Sequence, residues 1–143
     1  MQRIDPERKN HIQEGFILVQ PTLLAIAKAD LITAERLVDS DNKYIKHQAA
    51  YMTQQSIEKT LKYLIDLKTG SQPWGHDLEK LIRLAKSSGI LIPETIDKHK
   101  TLYSSWEAVT RYYPQAIIRR DMIQKAITAT KDWHYRLKNE GIK

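Results

Sequence analysis

Two polar residues one helical turn apart, Gln54 and Glu58, interrupt the apolar pattern of the segment "AAYMTQQSIEKTLKYLID". At about 100° per residue, Glu58 lies about 40° and His47 about 20° from the direction of Gln54, while Lys62 lies about 80° away. Gln54, Glu58 and His47 lie within or at the border of an apolar stripe, and Lys62 flanks it. The stripe is formed by Ala50, Ile57, Leu61 and Ile65. A buried amide left without a partner costs roughly 1–3 kcal/mol, and a buried carboxylate costs more. Neighbouring helices could satisfy these groups, or the groups could line a polar groove open to a ligand or set the register of a dimer interface.

A second pair with chemical potential is His76 and Asp77, in "WGHDLEKL". Both stand where a helix is predicted to begin, and the free N–H groups and positive dipole end of a helix start favour anions. Asp77 suits the N-cap position. His76 could cap the helix, pair with Glu58 or contact a ligand phosphate.

The elements that position these residues are predicted to be helical throughout. Apolar residues recur at helical spacing, and the breaks fall at "DSDN", "TGSQPWG", "SSG" and "RYYP". Predicted helices run from Pro21 to about residue 38, over about 43–68, from 78 to Gly89, from Pro93 to Pro114, and over about 118–138. A further N-terminal helix is predicted within residues 1–20, with Ile12, Phe16 and Val19 on its apolar face. The expected fold is an all-α, antiparallel up-and-down bundle of about five helices.

Composition limits the class of protein and its partners. A chain of 143 residues with 41% hydrophobic residues fits one domain over residues 1–143, and no apolar run approaches the length of a membrane span. No export signal is evident, so a cytoplasmic location is expected. The absence of cysteine excludes disulfides and thiolate metal sites. The net charge of +6 favours an anionic partner, whether nucleic acid, nucleotide or acidic protein, and no motif indicates a cofactor or a metal.

Four runs taken together, "KADLITAERLV", "QQSIEKTLKYLID", "GHDLEKLIRLA" and "RYYP", resemble the HEPN domain family (higher eukaryotes and prokaryotes nucleotide-binding). The resemblance covers about residues 22–138, in the family's order and approximate spacing. It implies a bundle of four or five helices that is commonly a homodimer. Many members accompany a minimal nucleotidyltransferase in bacterial toxin–antitoxin pairs, and others are metal-independent ribonucleases.

The resemblance also implies which residues carry function. The motif positions fall on Asp30, Gln54, Gln55, Glu58, Lys59, Lys62, His76, Asp77, Arg111 and Pro114. Ligand binding is expected at a subset of these, namely Gln54, Glu58, Lys62, His76 and Arg111.

One departure from the catalytic members decides the expected activity. Ribonuclease members carry an Arg followed four to six residues later by a His, and here Arg111 is followed by "YYPQAII". The first hypothesis is therefore a non-catalytic bundle that binds a nucleotide or RNA and accompanies a nucleotidyltransferase in a toxin–antitoxin-like pair. The alternative is an endoribonuclease with a rearranged pair, Arg111 and His134. A second alternative is a structural homodimer without a ligand.

Overall fold

The computed structural model describes residues 22–143, which form six α-helices and, within that range, no β-strand. The helices are α1 (Leu23–Leu37), α2 (Lys43–Thr69), α3 (Leu78–Ser87), α4 (Glu94–Lys98), α5 (Lys100–Tyr112) and α6 (Arg120–Asn139). The predicted all-α bundle is confirmed. The predicted N-terminal helix with Ile12, Phe16 and Val19 lies outside the described residues. None of the described helices is long and apolar enough to cross a membrane.

The ends of α2 follow from local chemistry. The side chain of Asn42, in the "DSDN" break, accepts hydrogen bonds from the backbone N–H groups of Tyr44 and Ile45 and so caps the helix start. The helix ends at Gly70, whose φ of 79° closes the last turn in the left-handed region. These two signals place α2 within a residue of its predicted bounds.

The helix predicted from Pro93 to Pro114 is wrong in one respect, because the structure divides it into α4 and α5. The break is His99, whose φ of −105° and ψ of 18° depart from helical geometry. Asp97 accepts from Lys86 Nζ (2.5 Å) and from Lys100 Nζ (3.1 Å), so it ties the break to α3. Tertiary ion pairs of this kind cannot be seen in the local apolar period.

Helix α2 is the centre of the bundle and packs against α1, α3, α5 and α6. The short link after α1 makes the first two helices antiparallel, and Ser56 Oγ donates to the Ala27 carbonyl across their interface (2.7 Å). Helix α5 also runs antiparallel to α2, because Thr110 Oγ1, near the end of α5, donates to the carbonyl of His47, near the start of α2 (3.3 Å).

Helix α6 lies parallel to α2. At its start, Arg120 Nε donates to the Val38 carbonyl beside the α1–α2 link (3.2 Å). Beyond its end, the Lys143 carbonyl accepts from Tyr63 Oη (2.9 Å). Met122 and Ala129, two apolar residues of α6, are only half-buried. Because α6 contacts α1, α2 and α4, its buried face is wider than a single apolar stripe. This face includes Ile123, Ile127, Thr130 and His134.

His134 is a core residue of α6. Its Nε2 lies 2.8 Å from Thr60 Oγ1, and Thr60 directs its own hydroxyl proton to the Ser56 carbonyl (2.7 Å). The hydroxyl has a single proton, so Nε2 of His134 donates to it. Burial, with a smaller contribution from Lys28, lowers the pKa of His134 from its ordinary value of 6.5 to about 4.

This lowered pKa predicts an acid sensitivity of the fold. The unfolded chain takes up the proton first, so the contribution of neutral His134 is present above pH 6.5 and is lost as pH falls toward 4. The shift corresponds to roughly 3 kcal/mol at most. His134→Gln, which keeps a hydrogen-bonding group near Thr60, should flatten the free energy of unfolding between these pH values in urea titrations.

The same experiment separates His134 from other histidines. Burial also lowers the pKa of His47 and of His99, so the wild-type curve includes their contributions. The difference between wild type and His134→Gln isolates His134. Parallel curves for the two proteins over this pH range would contradict the prediction.

Candidate functional site

The carboxylate of Glu58 is buried on α2, with the residue 2% exposed, and each of its oxygens has a partner. Oε1 lies 2.7 Å from His76 Nδ1 and 3.5 Å from Lys62 Nζ. Oε2 accepts from Gln55 Nε2 (3.2 Å). Because removing a carboxylate from water is costly, these donors are what allow Glu58 to lie in the core.

Gln54, at the centre of the apolar stripe, is fully buried as predicted. Its Oε1 accepts from Gln55 Nε2 (2.8 Å), so Gln55 links the amide to the Glu58 carboxylate. Gln54 Nε2 and the equally buried His47 Nε2 find no hydrogen-bond partner among the described residues. No described hydrogen bond joins His47 to Gln54 or to Glu58. His47, Gln54, Glu58, Lys62 and His76 together form a polar strip, and its inner part, His47 and Gln54, is closed to solvent.

The outer part of the strip is open. The side chain of His76 is 70% exposed, while that of Lys62 is partly buried between solvent and Glu58. Asp77 Oδ1 accepts from the backbone N–H of Lys80 (3.3 Å) and caps α3 as predicted. Of the three roles open to His76, the structure assigns the pairing with Glu58.

Within the described residues, the pairing of His76 with Glu58 is the hydrogen bond that joins its loop to α2. In the described part of the chain, no hydrogen bond holds residues 72–75. Gly75 has a φ of 91°, a conformation that favours glycine, and this turn separates Trp74 from His76. The contact between His76 and Glu58 therefore sets where the loop lies.

Between this loop and α2 lies an open cavity of about 440 Å³. It is lined by Lys62, Gln72, Pro73, Trp74, Gly75 and His76. Trp74 was not identified from the sequence as a site residue. The signal was nevertheless there, because a tryptophan between proline and glycine in a loop has no helix face to bury it. Another cavity, of about 360 Å³ beside the end of α2, has a mainly apolar lining and contains none of the predicted site residues.

Arg111 lies on the same side of α2 but apart from this group. Its guanidinium carbon is 6.0 Å from the centre of the Tyr51 ring, and its Nη2 is 3.5 Å from Glu107 Oε1. Tyr51 precedes Glu58 by two helical turns, about 10 Å along the axis. The structure thus brings Gln54, Glu58, Lys62 and His76 into one network and leaves Arg111 beyond it.

A model of the HEPN domain family matches residues 21–133, well over half of the chain. The chain belongs to the HEPN family. No curated protein and no solved structure matches it. Membership confirms the resemblance inferred from the four sequence runs, and it supports a nucleotide- or RNA-related function in general.

Two of the HEPN motif positions serve the packing of α1 on α2. Lys59 Nζ lies 2.5 Å from Asp30 Oδ2, and Asp30 is buried at the interface of these helices. Lys59 is turned about 100° from Glu58 around α2, so this ion pair lies outside the candidate site. Within residues 22–143, no three His, Asp or Glu side chains are grouped as ligands for a metal ion.

The HEPN domain does not place Arg111 and His134 at one point. Arg111 contacts Tyr51, whereas His134 contacts Thr60. Nine residues separate Tyr51 from Thr60, which is half a turn around α2 and about 13 Å along it. A pair that stabilises a phosphorane and moves a proton must reach the same phosphate. The described geometry does not provide that arrangement.

The network predicts how the loop responds to mutation. Glu58→Ala removes the acceptor of His76 and the ion partner of Lys62, so we expect a loss of about 1–3 kcal/mol in the free energy of unfolding. We also expect larger fast motions of the loop, seen as lower backbone ¹H–¹⁵N NOE values at residues 72 and 74–76. Glu58→Gln keeps one acceptor oxygen and should show smaller changes.

The matched control is Glu35→Gln, which removes an exposed ion pair with Lys131 elsewhere in the bundle. It should change stability by less than about 1 kcal/mol and leave the NOE values of the loop unchanged. Unchanged NOE values of the loop in Glu58→Ala would show that the contact with His76 does not hold the loop.

Proposed function

We propose that this HEPN domain binds a nucleotide or RNA through a phosphate group at the wall formed by Lys62 and His76, and that it does not cleave the ligand. The observation that carries the proposal is the buried Glu58 carboxylate, which holds both donors on one side of an open cavity. A purely structural network would have no need to present an imidazole to solvent.

The donors keep capacity for a ligand. Lys62 has three N–H donors, and its contact with Glu58 spans 3.5 Å, so a phosphate oxygen can share the ammonium group. His76 uses Nδ1–H for Glu58, so its Nε2 remains available to a ligand, as an acceptor in the neutral ring and as a donor to a phosphate oxygen in the doubly protonated imidazolium form. The net charge of +6 adds a general attraction for polyanions.

The absence of cleavage is supported by the positions of Arg111 and His134. His134 is occupied by Thr60 in the core, and its pKa of about 4 keeps the imidazole neutral near pH 7. Arg111 lies over Tyr51, half a turn around α2 from Thr60 and about 13 Å along the helix. An endoribonuclease using these two residues therefore has no geometric support, and cleavage becomes an outcome of the binding test.

The proposal includes a biological setting that follows from the resemblance to the nucleotidyltransferase-associated HEPN proteins. In that setting the chain forms a homodimer and accompanies a nucleotidyltransferase in a toxin–antitoxin-like pair. The support is the set of sequence runs that carries the resemblance, including "QQSIEKTLKYLID" and "GHDLEKLIRLA".

Sedimentation of the purified chain tests the homodimer. The expected result is a mass twice that of the chain, and a monomer at high concentration would contradict it.

Lys62→Ala tests the phosphate site. We expect calorimetric titration with mononucleotides and short single-stranded oligoribonucleotides to show binding that is at least about tenfold weaker in the variant, since a charge-assisted hydrogen bond is lost. The dependence of RNA affinity on salt should also become shallower, because one phosphate contact is removed.

The control is Lys68→Ala, which makes the same change of charge on the same helix. Lys68 lies about 120° around α2 from Lys62 and lines the other cavity, beside the end of α2. Its affinity should stay within about twofold of wild type. Equal losses in both variants would indicate general charge attraction instead of a site. No binding of any nucleotide or RNA would refute the proposal, and cleavage of the RNA would favour the ribonuclease alternative.

A further inference from the structure

The three tryptophans of the chain differ sharply in environment. Trp106 and Trp133 are each 1% exposed and belong to the core, whereas Trp74 is 89% exposed. An indole is among the largest apolar surfaces a protein can bury, and burying it elsewhere would favour folding. Trp74 therefore contributes little to the core of this bundle.

The ring of Trp74 is also available on its faces. Among the described residues, no aromatic ring and no cation stacks on it; Arg111 and Tyr51 form the described cation–π contact. Aromatic side chains with free faces stack unpaired bases with little regard to sequence.

The position of Trp74 is what connects it to the proposed phosphate site. Trp74, Lys62 and His76 line the same cavity, whose volume of about 440 Å³ is in the range of small-ligand pockets. Gln72 adds a side-chain amide to the same wall, with both donor and acceptor capacity for the edge of a base. An aromatic face, an amide and two phosphate donors are the groups that a nucleotide can use together.

We propose that Trp74 stacks on the base of an unpaired nucleotide whose phosphate meets Lys62 and His76. This inference rests on the proposed function and names its ligand class: a base carrying a phosphate, either as a free mononucleotide or within single-stranded RNA. A base inside a duplex cannot offer its face to Trp74, so the site selects against paired RNA.

The test uses the intrinsic fluorescence of the full chain. Trp106 and Trp133 are shielded in the core, so a ligand that stacks on Trp74 should quench the solvent-exposed part of the emission. We expect quenching by adenosine monophosphate and by a short single-stranded oligoribonucleotide. Ribose 5-phosphate and inorganic phosphate, which lack a base, should leave the emission unchanged. The relative affinities of the mononucleotide and the oligonucleotide distinguish the two sources of the ligand.

Variants of Trp74 complete the test, because an exposed side chain can be changed without opening the core. Trp74→Ala should weaken binding of adenosine monophosphate by about tenfold or more, and Trp74→Phe, which keeps a ring, should stay within about threefold. Binding to an RNA hairpin stem should be weak in every protein and should not depend on Trp74.

The outcomes separate this inference from the proposed function. Ribose 5-phosphate binding as tightly as adenosine monophosphate, or Trp74→Ala binding like wild type, would overturn base stacking while Lys62-dependent binding still stood. The same holds if adenosine monophosphate binds in calorimetry without quenching the fluorescence. Absence of all nucleotide and RNA binding would overturn both and would leave Trp74 as a contact for a protein partner.

Discussion

The constraint on which the candidate site depends is the burial of one carboxylate. Glu58 lies in the core face of the central helix, and a charge there persists only if its oxygens are paired. The pairing draws Lys62 from one turn later on α2 and His76 from the loop before α3. A requirement of folding thus assembles a lysine and a histidine at the surface. The same carboxylate that must be neutralised inside the protein orients the groups proposed to meet a phosphate outside it.

Because α2 is central, several of its other polar residues are also paired, on more than one side of the helix. Its polar residues contact different neighbours: Ser56 binds the α1 backbone, Lys59 pairs with Asp30, and Thr60 binds His134 of α6. A long helix that is surrounded by other helices has little free surface on which to place polar groups. Each of these polar groups is therefore committed to a particular neighbour, whereas Lys62 lies beside the open cavity.

The helices and the buried polar residues were predictable from the sequence because both follow from local periodicity. The 3.6-residue period placed Gln54 and Glu58 in the core, and Asp77 marked a helix start that the structure confirms. The division at His99 and the wide buried face of α6 were not predictable, since they arise from contacts between distant segments.

The site was predictable only in part for the same reason. Gln54, Glu58, Lys62 and His76 were identified as neighbours, and the structure joins them. Arg111 was expected to join them, but it contacts Tyr51, about two helical turns from Glu58, and no rule of spacing could set the crossing of α5 over α2. Trp74 was not identified as a site residue, because loop residues have no hydrophobic periodicity from which the direction of a side chain can be predicted. Its exposure is known only from the fold.

The attachment of residues 72–76 also bears on the kinetics of the cavity. Segments with few hydrogen bonds open at low free energy while the core around them stays intact. Here the loop can swing away when a single imidazole–carboxylate contact breaks, and α2 need not unwind. The lifetime of a bound ligand would then be governed by how often His76 leaves Glu58, so affinity could be tuned through the off-rate by residues that never touch the ligand.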